Sequence, residues 1–155
     1  MDSVITLGLF KNDKLFSYLP KDARYFTLPS FNGSGLNALM NNSDITDMAF
    51  NKTFNFLQEH IIDPPNILCF YGSFMHEDKF HEVYKAVLEK DSVIELDGIE
   101  RMLWVPLKDY DDYSLDVFSK KNVLPLFYNK DVVEPSLNGR NVNDKRYSSA
   151  YLKNL

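Results

Sequence analysis

The segment His76-Glu77-Asp78-Lys79-Phe80-His81-Glu82 places two of the chain's three histidines among four charged side chains. Imidazoles beside carboxylates can hold a metal or move protons. On a helix, ligands that share a face stand three or four residues apart, whereas His76 and His81 are five apart. Glu77 and His81 are four apart, as are Asp78 and Glu82, but one histidine with one carboxylate is half a site. Two histidines at i and i+4 do not occur here, so no metal is expected and the segment reads first as a solvated helix start.

Ser73, in Tyr71-Gly72-Ser73-Phe74, follows an apolar run and precedes that segment. A strand–turn–helix junction is a place for a nucleophile or a phosphate, although Gly-x-Ser-x-Gly is missing. Ser73, His76 and Glu77 are therefore the residues of a small-enzyme alternative, with its site at the end of a strand over 67–71. Cys69 lies inside that run, where a thiol behaves as a small hydrophobe. Asn32-Gly33-Ser34-Gly35 lacks the lysine of a phosphate loop and the spacing of a dinucleotide fingerprint, so it reads as a surface loop. No catalytic residue, cofactor site or metal site is assigned.

Asp109, Tyr110, Asp111, Asp112 and Tyr113, with Asp116, form an acidic aromatic run. It lacks the central glycine and distal glutamate of a calcium loop. Carboxylates supply counter-charge and rigid tyrosine rings add contact area, which suits a surface receiving lysines and arginines. Aspartates also favour the start of a helix, whose dipole is positive there, and the two readings are compatible. These six residues are the expected partner-binding site.

The elements that would carry these residues follow from periodicity and punctuation. Val4–Phe10 and Leu15–Leu19, parted by Lys11-Asn12-Asp13-Lys14, read as a β-hairpin. Arg24–Leu28 reads as a third short strand, and Pro29–Gly35 as a loop. Phe50, Phe54, Leu57 and Ile61 recur on one helical stripe, widened by Ala49 and Phe56, with Ser43 or Asp44 as cap and Pro64-Pro65 as stop. The spacing predicts a helix over Asp44–Ile62. Ile67–Tyr71 reads as a central strand buried on both faces. Phe80, Tyr84, Val87 and Leu88 predict a second helix over Glu77–Glu89. Ser92–Leu96 and Ile99–Val105, joined by Asp97-Gly98, read as a type I′ hairpin. Asp109–Lys121 can form a short helix, and Val123–Tyr128, with Pro125, an edge strand.

At 155 residues, with 45% apolar, 14% aromatic and 25% charged side chains, the chain is sized and composed for one domain with a real core. The expected fold is α+β: a mostly antiparallel sheet of about five or six strands with two main helices packed on it. Residues 1–128 would form the domain, and 129–155 an irregular polar tail that can cover it. A net charge of −5 and a pI near 5.1 argue against direct nucleic-acid binding. One cysteine, no signal peptide and no apolar span point to a soluble protein of the reducing cytoplasm, with no membrane partner. Acidity, small size and the tyrosine-rich run lead to a non-enzymatic protein that sequesters a more basic partner (a toxin, nuclease or regulator), as an immunity protein, antitoxin or phage inhibitor does. The alternatives are the small enzyme above and a self-associating assembly subunit pairing through Val123–Tyr128.

Overall fold

The computed structural model describes residues 3–33, 42–128 and 139–141; side chains of the first helix are described from 48 onward. The architecture is α+β, and the sheet is mostly antiparallel, as the sequence predicts. Strands β1 (Ser3–Lys11) and β2 (Lys14–Pro20) form the expected opening hairpin. Asn12 and Asp13 both take positive φ, 54° and 63°, the left-handed pair that a tight two-residue turn needs. A short β3 (Ser30–Asn32) pairs with the first half of β1. Helix α1 (Asn42–His60) matches the predicted one closely, and Phe50, Leu57 and the adjoining Ile61 are buried.

After β4 (Ile61–Ile62) the chain forms a long hairpin of β5 (Ile67–His76) and β6 (Lys79–Val87). Next come β7 (Val93–Ile94) and β8 (Ile99–Pro106), a 3₁₀ segment (Leu107–Asp112), a π-helical turn (Ser119–Val123) and α2 (Leu124–Tyr128). A short β9 (Gly139–Asn141) borders β5. The strand order is β8-β2-β1-β6-β5-β9, with β3 also on β1. Among the strands described one pairing is parallel, β1 with β6, in continuous register from Ser3↔Phe80 to Phe10↔Val87.

Several expectations fail, each for a physical reason. The predicted helix over Glu77–Glu89 is strand β6. β6 lies between β1 and β5 and is covered on both faces, so its apolar residues lose the period of two and imitate a helical stripe. The most completely buried strand is β1; Ile67–Tyr71 begins β5, and Ile67 is 50% exposed. Asp97-Gly98 makes no type I′ hairpin: only Gly98 has positive φ, β7 pairs with β4, and β8 pairs with β2. Arg24–Leu28 contributes isolated bridges at Phe26 and Thr27, and the strand lies within the predicted loop, at β3.

The predicted edge strand Val123–Tyr128 is helical, with α2 over Leu124–Tyr128, whereas the second main helix was expected over Glu77–Glu89, where β6 lies. The Leu124 N–H reaches back to the Ser119 carbonyl across the π-turn. Pro125, next in line, has no N–H and its ring crowds the preceding turn, which accounts for the local widening. Of the predicted tail, all but β9 lies outside the described residues.

The sheet is covered on both sides. Ile5, Leu7 and Leu9 of β1 face α1, together with Phe16, Leu68, Tyr84 and Ala86. Phe10, Leu15, Val83 and Val105 face the helical segment of 117–128, with Leu115, Val123 and Leu124. Gly8 sits on this second side, where a Cβ would lie 2.6 Å from the Phe127 ring. The absence of a side chain there lets α2 lie close on the sheet. Among the described residues no helix is long and apolar enough to cross a membrane.

Candidate functional site

The tip of the β5–β6 hairpin opens onto a cavity of about 520 Å³. His76 and Glu77 line it from β5 and the turn, Lys79 and His81 from β6, and Val4 from β1. Val117, Phe118, Lys121 and Asn122 close it from the second helical segment. A second cavity of about 350 Å³, between β3 and β1, is lined by Ser3, Ser30, Phe31 and Asn32 and shares Val4 and Lys79 with the first.

A β-bulge assembles the site. Up to Phe70 the β5 residues with even numbers pair with residues facing α1: Leu68 with Ala86, Phe70 with Tyr84. The register then shifts at Tyr71, and Gly72 pairs with Val83, Phe74 with His81 and His76 with Lys79. A one-residue shift moves a strand's side chains to the opposite face. Phe74 and His76 thereby join His81 on the side of the second helix, while Ser73, opposite Glu82, is left exposed outside the cavity. Of the expected trio the structure keeps His76 and Glu77 together and parts Ser73 from them. Cys69 lies upstream of the bulge, half-buried.

The turn itself is strained. Glu77 and Asp78 have φ of 49° and 63°, a conformation in which glutamate is far less at home than asparagine or glycine.

His81 is the chemical centre of this arrangement. It is only 5% exposed, and neither ring nitrogen has a hydrogen-bond partner among the described residues. Its ring stacks on Phe74, with centroids 5.2 Å apart and planes 9° apart. The Phe118 ring lies 4.8 Å away and the His76 ring 5.9 Å away. Burial, and then the neighbouring His76, hold its pKa below the ordinary histidine value, with Lys79 adding a smaller push and the His76 backbone opposing. A neutral imidazole carries one donor and one acceptor. Leaving such groups buried and unpaired costs about 1–3 kcal/mol each, so His81 is a point on this side of the sheet where the fold forgoes hydrogen bonds. His76 sits nearer the rim, with Nε2 3.8 Å from Oε1 of the largely exposed Glu77. Among the described residues no group of three or more His, Cys, Asp or Glu side chains could hold a metal ion.

The acidic run precedes the helical segment that closes this site and contributes no residue to its lining. Asp109, Asp111 and Asp112 are exposed on the 3₁₀ segment. The Tyr110 ring is 6.0 Å from Tyr128, and burial, then Asp111 and Tyr128, push its pKa up. Tyr113 is half-buried. Asp116 caps the helical segment: its Oδ1 accepts the Ser119 hydroxyl at 2.6 Å and its Oδ2 the Ser119 N–H at 3.2 Å. The helix-start reading of this aspartate is the one the contacts bear out.

The sequence reading missed His81 as a site residue, and with it Lys79, Phe118, Lys121 and Asn122. Its premise was a helical spacing. Across a two-residue turn, residues five apart come together on one face, but Glu-Asp is not a composition that announces such a turn.

No protein-family model and no curated sequence matches this chain. Solved structures do. The NUDIX domain of Shewanella oneidensis NrtR, complexed with ADP ribose, superposes with a TM-score of 0.55 at 13% identity, over 80% of this chain and 84% of that one. This chain has the Nudix fold. A MutT structure, from a study of the Aliivibrio salmonicida and Vibrio cholerae proteins, gives a TM-score of 0.55 at 12% identity over 81% and 95% of the two chains. The C-terminal domain of mouse MUTYH, solved with human PCNA, gives 0.54 at 14% identity over 82% and 87%. These likenesses correct the main functional expectation. The Nudix-type architecture displaces the immunity-protein, antitoxin and phage-inhibitor reading, and the alternative of a small enzyme fits it better.

Proposed function

We propose that this protein is a small enzyme that binds and hydrolyses a phosphate-bearing, ring-containing substrate of nucleotide type at the tip of the β5–β6 hairpin. The observation that carries the reading is His81, a buried imidazole with both nitrogens unpartnered in the wall of a cavity flanked by two lysines. Lys79 and Lys121 supply the positive charge that an oxyanion needs. Phe118 offers an aromatic face to a ring, and Asn122 a donor and an acceptor to its edge. The ADP ribose bound by the NrtR NUDIX domain has both parts, phosphates and a base.

In this reading His76 takes the proton of the attacking water as its oxygen bonds to phosphorus and the bond to the leaving oxygen breaks. Glu77 favours the imidazolium so formed, by an amount that its exposure keeps small. The setting is the cytoplasm, in keeping with a chain that has one cysteine.

Calorimetry with ADP ribose, ADP and inorganic pyrophosphate, together with a phosphate-release assay, tests the assignment. Saturable binding that Lys79→Ala and Lys121→Ala each weaken, with turnover lowered about 10²–10⁴-fold in His76→Gln, is the expected result. Binding that both lysine variants leave untouched would remove this cavity from the account.

A further inference from the structure

The groups facing His81 can be named element by element. β5 contributes Phe74 and His76, the turn Glu77, β6 Lys79, the helical segment Phe118 and Lys121, and β1 the apolar Val4. Two of these are cations at neutral pH, and the one carboxylate points largely into water, with 84% of its side chain exposed. A proton on this ring would meet burial and like charge together, so the free protein holds His81 neutral. An anion seated between Lys79 and Lys121 reverses that balance, because a negative charge close to an imidazole favours its charged form.

We infer that the cavity binds anions with uptake of one proton, His81 changing from a ring with one donor to a ring with two as a phosphate-type group is seated. The inference rests on the cavity being the ligand site proposed above. The proton comes from solution and no covalent bond changes. In the complex both ring nitrogens are donors, and an oxygen of the anion meets one of them as the side chains that cover it in the free protein shift, whereas the neutral ring must present one lone pair to an acceptor-only ligand. His81 is thus a specificity-determining residue: it favours ligands with enough negative charge to hold the extra proton over neutral nucleosides of the same shape. By linkage, affinity rises as pH falls, by up to about tenfold per pH unit between the pKa of the free ring and that of the bound ring.

The test uses the full chain and inorganic pyrophosphate, titrated calorimetrically at about pH 7 in two buffers of different ionisation enthalpy. The expected result is a binding enthalpy that differs between the buffers by an amount corresponding to roughly one proton taken up per site. His81→Gln should lower the uptake by nearly one proton, leaving only what His76 in the same cavity contributes, and His60→Gln, at the far end of α1, should keep it. NMR of the His81 Cε1–H resonance needs no variant, and its titration midpoint should rise by about two pH units or more with pyrophosphate present, the shift that uptake of nearly one proton at about pH 7 requires. Pyrophosphate binding with equal heats in both buffers and an unmoved His81 midpoint would overturn the proton linkage while leaving the site intact. No binding of pyrophosphate, ADP or ADP ribose at any pH would overturn the site and the linkage together.

Discussion

The two sides of the sheet are built from the same strands and serve different ends. On the α1 side Ala49, Phe50 and Leu57 are fully buried against Ile5, Leu7 and Leu9. Polar groups there have partners: the Thr53 hydroxyl donates to the Ala49 carbonyl at 2.7 Å, and the Tyr84 hydroxyl to Glu82 Oε2 at 3.0 Å. On the other side the packing opens into the cavity, and His81 keeps two buried nitrogens without a partner. Satisfaction of buried polar groups, more than apolar content, separates the face that holds the fold together from the face on which the ligand site is proposed.

That contrast can be broken by substitution. Leu57→Ala leaves a hole beneath α1 and should cost about 2–5 kcal/mol, with ligand affinity per folded molecule unchanged; urea titration and calorimetry read the two quantities separately. Gly8→Ala should cost about 1–3 kcal/mol, because its Cβ forces the Phe127 ring and α2 off the sheet. Here affinity should fall as well, since Phe118 and Lys121 ride on the same helical segment. Unchanged affinity in Gly8→Ala would show that the cavity tolerates movement of that wall. Asp116→Ala removes the cap on Ser119 and should cost about 0.5–2 kcal/mol, with a few-fold weaker binding that Asp116→Asn partly restores.

The smallest effect sharpens the comparison through pH. His81 has a lower pKa folded than unfolded, where the ordinary value of 6.5 applies. The unfolded chain therefore binds more protons over that interval, and stability declines as pH drops below about 6.5. Urea midpoints at about pH 5 and pH 7 should draw closer together in His81→Phe than in the native chain.

Legibility in the sequence followed burial geometry. α1 was readable because a helix with one covered face keeps its period, as Phe50, Leu57 and Ile61 do. The β1–β2 hairpin was readable because Asn12 and Asp13 tolerate the left-handed turn they adopt. β6 was not, because a strand covered on both sides has no alternation to display, and the Glu77-Asp78 turn before it uses a residue that rarely takes that shape. The site suffered the same fate twice over. Its histidines meet only across that turn, and only because the bulge at Tyr71 reverses the facing of Phe74 and His76. The mark it leaves is Gly72, because an isolated glycine within a strand signals a bulge, but beside Ser73 it reads equally as the strand's end.

The central parallel pairing of β1 with β6 has a bearing on synthesis. Ser3 lies opposite Phe80, seventy-seven residues later, so the strand made first waits for one of the later strands before both its edges are filled. Contacts of such long span close slowly, because chain entropy is lost before native contacts compensate. Until residue 87 has left the ribosome, Val4–Phe10 is an apolar segment with an open edge, the kind of segment chaperones hold and aggregates recruit. Yield during expression should therefore respond to translation rate and chaperone supply more than to the stability of the finished domain.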